Sequence, residues 1–199
     1  MTPTVDTCNL ALSLIGQAGT ISSVSPPEGS VYAQLCASMY PLALGNLLEA
    51  HPWAFATRAA MLAPLAEVHP GFARTFALPM DCLRLWELRD GSGGALLVYE
   101  RQLGNDGAPL VCTDAVQVLA LYTRAPDVPQ SLPPAFKTAL AYLLASMIVG
   151  PIVKGEAGAA AAKSLAQMAQ HYLAQAMEND ATQKLEALTV RPPWLEARA

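Results

Sequence analysis

The feature that most constrains the fold is a long apolar segment that ends in His51-Pro52-Trp53-Ala54-Phe55. A proline lacks the backbone N–H that would continue a helix, so a helix that reaches this point has to end. Two large aromatic side chains directly after the proline are typical of residues that anchor a chain segment in a core. We therefore predict that Trp53 and Phe55 are structural anchors, and that the basic residue Arg58 opens a region of strands.

A first helix is predicted near the N-terminus, over residues 3–15. Thr2 would be its N-cap, Pro3 suits the first helical position, and Gly16 would end it. The residues expected on its buried face recur at helical spacing: Val5, Cys8, Leu12 and Ile15.

A second helix is predicted to end at about residue 50. Ser25 and Glu28 have the S-x-x-E spacing of a capping box and would mark its start. Pro41 removes a backbone hydrogen bond from the interior, so we expect a kink there. The predicted buried face contains Tyr32, Leu35, Cys36, Met39, Leu42, Ala43 and Leu47.

Between residues 73 and 123 the apolar pattern changes to a period of two, which is typical of strands. Two runs show it: residues 82–89, where Cys82, Arg84, Trp86 and Leu88 share one face, and residues 116–123, where Val116, Val118, Ala120 and Tyr122 share one face. Glycine-rich stretches at 90–94 and 104–107 predict turns. The pattern predicts a small, mainly antiparallel sheet, with Pro79 and Trp86 as further structural anchors.

Two more helices are predicted after a proline-rich link. The first is apolar nearly all round beyond Thr138 and should be central to the core; it carries Phe136, Leu140, Leu143, Leu144 and Met147. The last would run over residues 156–188, with a seam of Leu165, Met168, Ala169, Tyr172 and Ala176.

These elements predict an α+β fold, a helical bundle core with an inserted small antiparallel β-sheet and an extended C-terminal tail. Residues 1–72 and 126–188 would form the core, residues 73–125 the sheet, and residues 189–199 the tail. Prolines keep the tail extended, and Trp and Arg dominate interface hot spots. We interpret the tail as a docking segment, against the alternatives of a disordered tail or a strap on its own subunit; its docking residues would be Arg191, Trp194, Leu195 and Arg198.

The composition is apolar, with 53% hydrophobic and only 14% charged residues. A monomer with so little charge would expose apolar patches, which usually mark interfaces. We therefore expect a subunit of an assembly. A membrane span is not expected, because the uncharged stretch 138–153 is shorter than the roughly 20 residues a span needs and contains Gly150-Pro151. We also expect no signal peptide, because Asp6 comes early and no basic residue precedes the apolar run.

No residue pattern in the chain points to catalysis, a cofactor or a metal. The four cysteines are far apart, and we expect them to be reduced and mostly buried. The three histidines lack metal-ligand spacing, and His51 is expected to interact with the carbonyl end of the second helix. The net charge of −4 and the lack of a basic cluster argue against sequence-specific binding of nucleic acid.

The order of these motifs resembles the head-to-tail adaptor family of short-tailed bacteriophages, also called tail tubular protein A. The resemblance begins with Asn9-Leu10-Ala11-Leu12-Ser13-Leu14-Ile15-Gly16 and continues through residues 51–58, 78–84, 119–122 and 132–152. Members often carry a basic residue shortly before the His-Pro-Trp, where this chain has Gly45-Asn46.

The resemblance implies a non-enzymatic structural protein of the phage neck and tail, assembled in the host cytoplasm. It would form a homododecameric ring between the portal protein and the tail nozzle protein, with tail fibres as further partners. Double-stranded DNA would pass through its channel during ejection without sequence-specific binding. Two alternatives from other classes are a tail-associated peptidoglycan hydrolase, which needs two converging carboxylates, and a helical regulatory or membrane-associated protein.

Overall fold

The chain adopts an α+β fold with helices at both ends and strands between them. The computed structural model describes residues 2–17, 21–66, 71–104, 107–124 and 132–182. The helices are α1 (Pro3–Leu14), α2 (Val31–Ala50), α3 (Pro134–Ile152) and α4 (Glu156–Ala181). The strands are β1 (Thr57–Met61), β2 (Pro64–Leu65), β3 (Arg74–Ala77), β4 (Cys82–Asp90), β5 (Glu100–Leu103), β6 (Pro109–Thr113) and β7 (Val118–Arg124).

The centre of the helical part is α3, which packs against α1, α2 and α4. Its buried side chains include Phe136, Leu140, Leu144 and Ile148, each at most 1% exposed. On the side of α4, Tyr142 stacks on Tyr172 with ring centroids 4.9 Å apart. The prediction that this apolar helix is central to the core is confirmed.

The length argument against a membrane span is wrong. Helix α3 begins at Pro134, before Lys137, and has 19 residues; within the described ranges it is the one helix that by length and composition could cross a membrane. Burial is the more informative property, because only Pro134, Gly150 and Pro151 of this helix are exposed. In this fold α3 is a core helix.

The ends of α1 lie where the sequence predicts them, whereas the predicted start of α2 is wrong. Helix α1 has Thr2 as its N-cap residue, although the Thr2 side chain makes no capping hydrogen bond, and Gly16 follows its end with a φ of +76°. The predicted capping box of Ser25 and Glu28 is wrong. The hydroxyl of Ser30 accepts the Ala33 N–H at 3.1 Å and caps α2 instead.

Glu28 has a different role, in the loop between α1 and α2. Its carboxylate accepts hydrogen bonds from the backbone N–H and hydroxyl of Ser22. These bonds hold the pKa of Glu28 below its ordinary value. The carboxylate therefore closes the loop rather than the helix, whose N-cap is Ser30, five residues after Ser25.

The burial predicted for α2 is partly wrong. Cys36, Ala43 and Leu47 are buried as predicted, but Leu42 is 57% exposed and Tyr40 is buried in its place. The helix is continuous from Val31 to Ala50 with Pro41 inside it.

The strands form two small antiparallel sheets in the described ranges rather than one. One sheet has the order β1-β7-β4 and the other has the order β2-β3-β6-β5. The strands begin at Thr57, which confirms the prediction that a region of strands opens at Arg58, and β1 and β2 therefore lie ahead of the change of pattern at residue 73. The sequence Thr57–Met61 does not alternate strongly, and its strand conformation comes from pairing with β7, where Thr57 lies opposite Thr123.

A bulge changes the burial pattern of β4. The register against β7 shifts between Leu85 and Glu87, so the buried residues are Leu85 and Leu88 rather than every second residue. One extra residue on a bulged strand shifts the following side chains relative to the sheet faces. On β7 the predicted alternation of Val118, Ala120 and Tyr122 is confirmed, whereas Val116 precedes the strand and is exposed.

The two predicted glycine turns are present. Asp90 closes the first turn by accepting the Ser92 N–H at 2.8 Å. The second joins β5 and β6 as a hairpin in which Leu103 lies opposite Pro109. Residues 105 and 106 of that hairpin lie outside the described ranges.

A glycine at the start of α4 provides a test of close packing. A Cβ on Gly158 would overlap the carbonyl oxygen of Val153, whereas a Cβ on Gly45 in α2 would meet nothing within 4 Å. We expect Gly158→Ala to lower the free energy of unfolding by about 1–3 kcal/mol, because overpacking forces the backbone to move. We expect Gly45→Ala to raise it by about 0.5–1 kcal/mol, because alanine favours helix.

Urea unfolding followed by circular dichroism would measure both variants. Equal stability of the two variants would contradict the close approach of α4 to the end of α3.

Candidate functional site

The most closely connected polar site in the described residues lies at the C-terminal end of α2. The last carbonyls of a helix have no partner within the helix and need donors from elsewhere. Trp53 supplies one, because its indole N–H donates to the carbonyl of Leu47 at 2.7 Å. The side chain of Trp53 is 1% exposed, so it fills the core and closes the helix end at once.

Three further rings surround Trp53. Phe136 of α3 meets it edge to face with ring centroids 4.9 Å apart, and His51 does so at the same distance. Phe55 lies 6.0 Å from Trp53 and 5.1 Å from Phe136. This aromatic cluster, His51, Trp53, Phe55 and Phe136, joins the end of α2 to the start of α3.

Asp180 connects helix α4 to the segment that contains His51 and Ala54. Its carboxylate accepts the Ala54 N–H, with distances of 3.0 and 3.2 Å to the two oxygens, and lies 3.2 Å from Nε2 of His51. A carboxylate in the last turn of a helix is unfavourable because it faces the negative end of the helix dipole. The contacts to Ala54 and His51 offset that cost and hold the end of α4 against residues 51–54.

A small, open cleft lies beside this contact. Its described lining contains the rings of Trp53 and Phe136 and the polar side chains of Asn179 and Asp180. Residues 125–131 and 183–199, which flank the cleft along the chain, lie outside the described ranges.

The chemistry available in the cleft is limited. A histidine and a carboxylate orient and accept protons, but hydrolysis also needs a nucleophile or a second carboxylate. The described lining residues contain no serine, cysteine or second carboxylate. Among the described residues, no group of three or more His, Cys, Asp or Glu side chains is placed to hold a metal ion. The contacts of Trp53 and Asp180 join α2, α3 and α4, and on these contacts we interpret the site as a structural junction.

The sheets meet the same helix end through Arg84 on β4. Its guanidinium donates to the carbonyl of Glu49 and lies over the ring of Trp86, 4.1 Å from the centroid. The Trp86 indole N–H donates to the hydroxyl of Thr123 at 2.7 Å. A basic residue therefore does reach the end of α2, but from a strand rather than from the Gly45-Asn46 position.

Several large apolar side chains are exposed in the strand region. Most of the large apolar side chains that are exposed in the described residues belong to this region, and Met80 and Val98 are 92% and 84% exposed. The others in the region are Met61, Leu65, Leu96, Leu103 and Val116. Strand β5, which contains Leu103 and begins two residues after Val98, forms one edge of its sheet in the described topology.

The structure places the predicted anchors at different depths. Trp53 is buried, whereas Phe55, Pro79 and Trp86 are half-buried. Pro79 accepts the Cys82 N–H at 3.0 Å where β4 begins. The predicted docking residues Arg191, Trp194, Leu195 and Arg198 lie outside the described residues.

Two residues of the junction were not predicted, Asp180 and Arg84. Asp180 had a usable signal, because it extends the predicted seam of Leu165, Ala169, Tyr172 and Ala176 by one further step of four residues. Ala169 and Ala176 are buried in that seam, while Met168, which was also predicted there, is 37% exposed. Arg84 had no signal, since its partner is a backbone carbonyl distant in sequence.

Comparison with known proteins adds no identification: no family model matches the chain, and no curated protein matches it significantly.

We expect Trp53→Ala to lower the free energy of unfolding by about 3–5 kcal/mol, because it removes a buried ring and leaves a cavity. Trp53→Phe keeps a ring but loses the donor to Leu47, so it should cost about 1–3 kcal/mol. Thermal and urea unfolding would measure the two values. A melting temperature unchanged by Trp53→Ala would contradict the anchor role.

We expect Asp180→Ala to cost about 2–3 kcal/mol, because a charged acceptor is lost from Ala54 and His51. Glu178→Ala, an exposed carboxylate on the same helix, is the matched control and should change stability by less than about 0.5 kcal/mol. In a double-mutant cycle with His51→Ala, the two costs should not add, because the side chains share a contact. Additive costs would mean that the two side chains act independently.

Proposed function

We propose that the chain is a structural adaptor of a bacteriophage virion, the subunit of a ring that connects the portal to the tail. The ring is a homododecamer with a central channel through which double-stranded DNA passes. The subunit catalyses no reaction. Its partners are other copies of itself, the portal protein, the tail nozzle protein and tail fibres.

The observation that carries this proposal is the apolar surface of the strand region. Exposed apolar patches on a subunit usually mark contacts with other proteins. Seven large apolar side chains of residues 57–124 are exposed in the described residues, compared with four on the helices (Leu10, Val31, Leu42 and Met168). A ring formed by heterologous contacts would bury one such surface on each neighbour.

The charge distribution supports passage of DNA rather than its retention. Tight binding of DNA requires many lysine and arginine contacts to phosphates. The chain has a net charge of −4, and no lysine or arginine occurs in its first 57 residues. A channel wall built from such a chain would let the duplex slide.

The order of the motifs resembles that of head-to-tail adaptors. This resemblance is our reason for proposing a ring between the portal and the tail rather than another kind of assembly. The junction at residues 51–58 is consistent with this assignment, because it acts as scaffold and offers no reaction centre. The C-terminal tail, with Arg191, Trp194, Leu195 and Arg198, is the part of the chain that we assign to portal docking.

The test is the mass of the native assembly with and without the portal ring of the same phage. We expect isolated subunits to associate weakly at micromolar concentration and to form the ring on the portal, because the portal supplies the apolar partner surface. A closed ring without portal would contradict template-dependent assembly and leave the adaptor role intact. The absence of both self-association and portal binding would overturn the proposal.

Removal of residues 190–199 is the second arm of the same experiment. We expect the truncated chain to keep its helix content and melting temperature. We expect both the truncated chain and the Trp194→Ala variant to bind portal at least about 30-fold more weakly than the full chain, because a hot-spot residue contributes 2 kcal/mol or more. Equal portal affinity of the truncated and full chains would move the docking surface to the described part of the protein. Peptidoglycan degradation by the purified chain would favour the hydrolase alternative.

A further inference from the structure

Two tyrosines on neighbouring helices lie with their rings stacked. Tyr142 belongs to α3 and Tyr172 to α4, and their ring centroids are 4.9 Å apart with an angle of 18° between the ring planes. Offset stacking at this separation brings carbons of the two rings into van der Waals contact. Among the ring contacts of the described residues, this is the one that joins two tyrosines. Both side chains are half-buried, so the stack lies between the helical core and solvent.

We propose that Tyr142 and Tyr172 are a site of oxidative modification, at which a one-electron oxidant couples the two rings into a dityrosine that links α3 to α4 within one subunit. The reagents that the site would take are one-electron acceptors in solution, of the class of photogenerated metal complexes and haem peroxidases. The proposal does not depend on the adaptor function.

The reaction has two steps. Each phenol gives one electron to an oxidant and its hydroxyl proton to water, which leaves a phenoxyl radical on each ring. The two radicals combine at a ring carbon next to the C–O carbon of each ring, and a C–C bond forms. Each of these carbons then loses its hydrogen as a proton and each oxygen regains one, which restores both phenols. In total, two C–H bonds break, one C–C bond forms, two protons are released and two equivalents of the oxidant are reduced.

The stack favours coupling over the other reactions of a phenoxyl radical. Two groups that are held in contact react as if each were present at a very high concentration. Tyr142 and Tyr172 are held in this way by the packing of α3 against α4. Because both rings are only half-buried, an oxidant in solution can approach them without unfolding of the helices. The half-buried Tyr99, in the strand region, contacts no other tyrosine ring among the described residues.

The experiment uses the dilute full chain, illuminated with tris(bipyridine)ruthenium and persulfate and then digested with trypsin. Cleavage at the lysines releases Tyr142 in the peptide 138–154 and Tyr172 in the peptide 164–184. We expect these two peptides to appear as one cross-linked species with dityrosine fluorescence, lighter than their sum by two hydrogen atoms. On a denaturing gel the fluorescence should run with the single chain. The oxidised protein should melt about 5–10 °C higher, because the link constrains the unfolded chain.

Tyr142→Phe and Tyr172→Phe are the test variants, because phenylalanine keeps the ring of the stack but has no phenol to oxidise. Each should lose the cross-linked peptide and the rise in melting temperature. Tyr99→Phe is the matched control and should keep both.

Two results would overturn the proposal. One is oxidation of tyrosine in the full chain without the link between peptides 138–154 and 164–184. The other is dityrosine that persists in Tyr142→Phe, or that occurs only in species of two or more chains. The peptide measurement on the unsubstituted chain stands even where a variant fails to fold.

Discussion

The fold depends on the need to close the C-terminal end of α2. The carbonyls in the last turn of a helix have no donor within the helix, and in a buried position each one requires a partner. Here the Leu47 carbonyl receives the indole N–H of Trp53, and the Glu49 carbonyl receives the guanidinium of Arg84. One donor comes from the chain just after the helix and the other from β4, so the helix end also fixes the position of a sheet.

The remaining elements converge on the same short segment. Phe136 brings the start of α3 against Trp53, and Asp180 brings the end of α4 against Ala54 and His51. The carbonyl of Trp53 accepts the Thr57 N–H at 2.8 Å, directly where β1 begins. Residues 51–57 therefore connect three helices and a strand, which explains why an aromatic pair after a proline constrains this chain more than any single helix does.

The sequence predicts correctly those parts of the fold that depend on residues close together in the chain. Gly16 ends α1, and the apolar circumference of α3 places that helix in the core. The predictions failed where a distant partner decides the outcome. A bulge in the pairing with β7 puts Leu85 and Leu88 on the buried side of β4, and the strands divide into two sheets rather than one. At the junction, Trp53 was predictable from its neighbours, whereas Arg84 bonds a backbone carbonyl that no sequence pattern marks.

The chain has two hydrophobic clusters, one in the helical part and one in the sheets, and they differ in what surrounds them. The cluster around α3 draws on all four helices and on residues 53–56, so it carries most of the buried apolar surface and hence most of the stability. The cluster around Phe76 and Leu88 lies in the strand region, whose strands and connecting loops carry most of the exposed large apolar side chains of the described residues. With only 14% charged residues, the chain has few ions to steer a partner. In the proposed ring, recognition by this surface would rest on shape and apolar contact, and such contacts would be maintained at high salt because screening acts on charges alone.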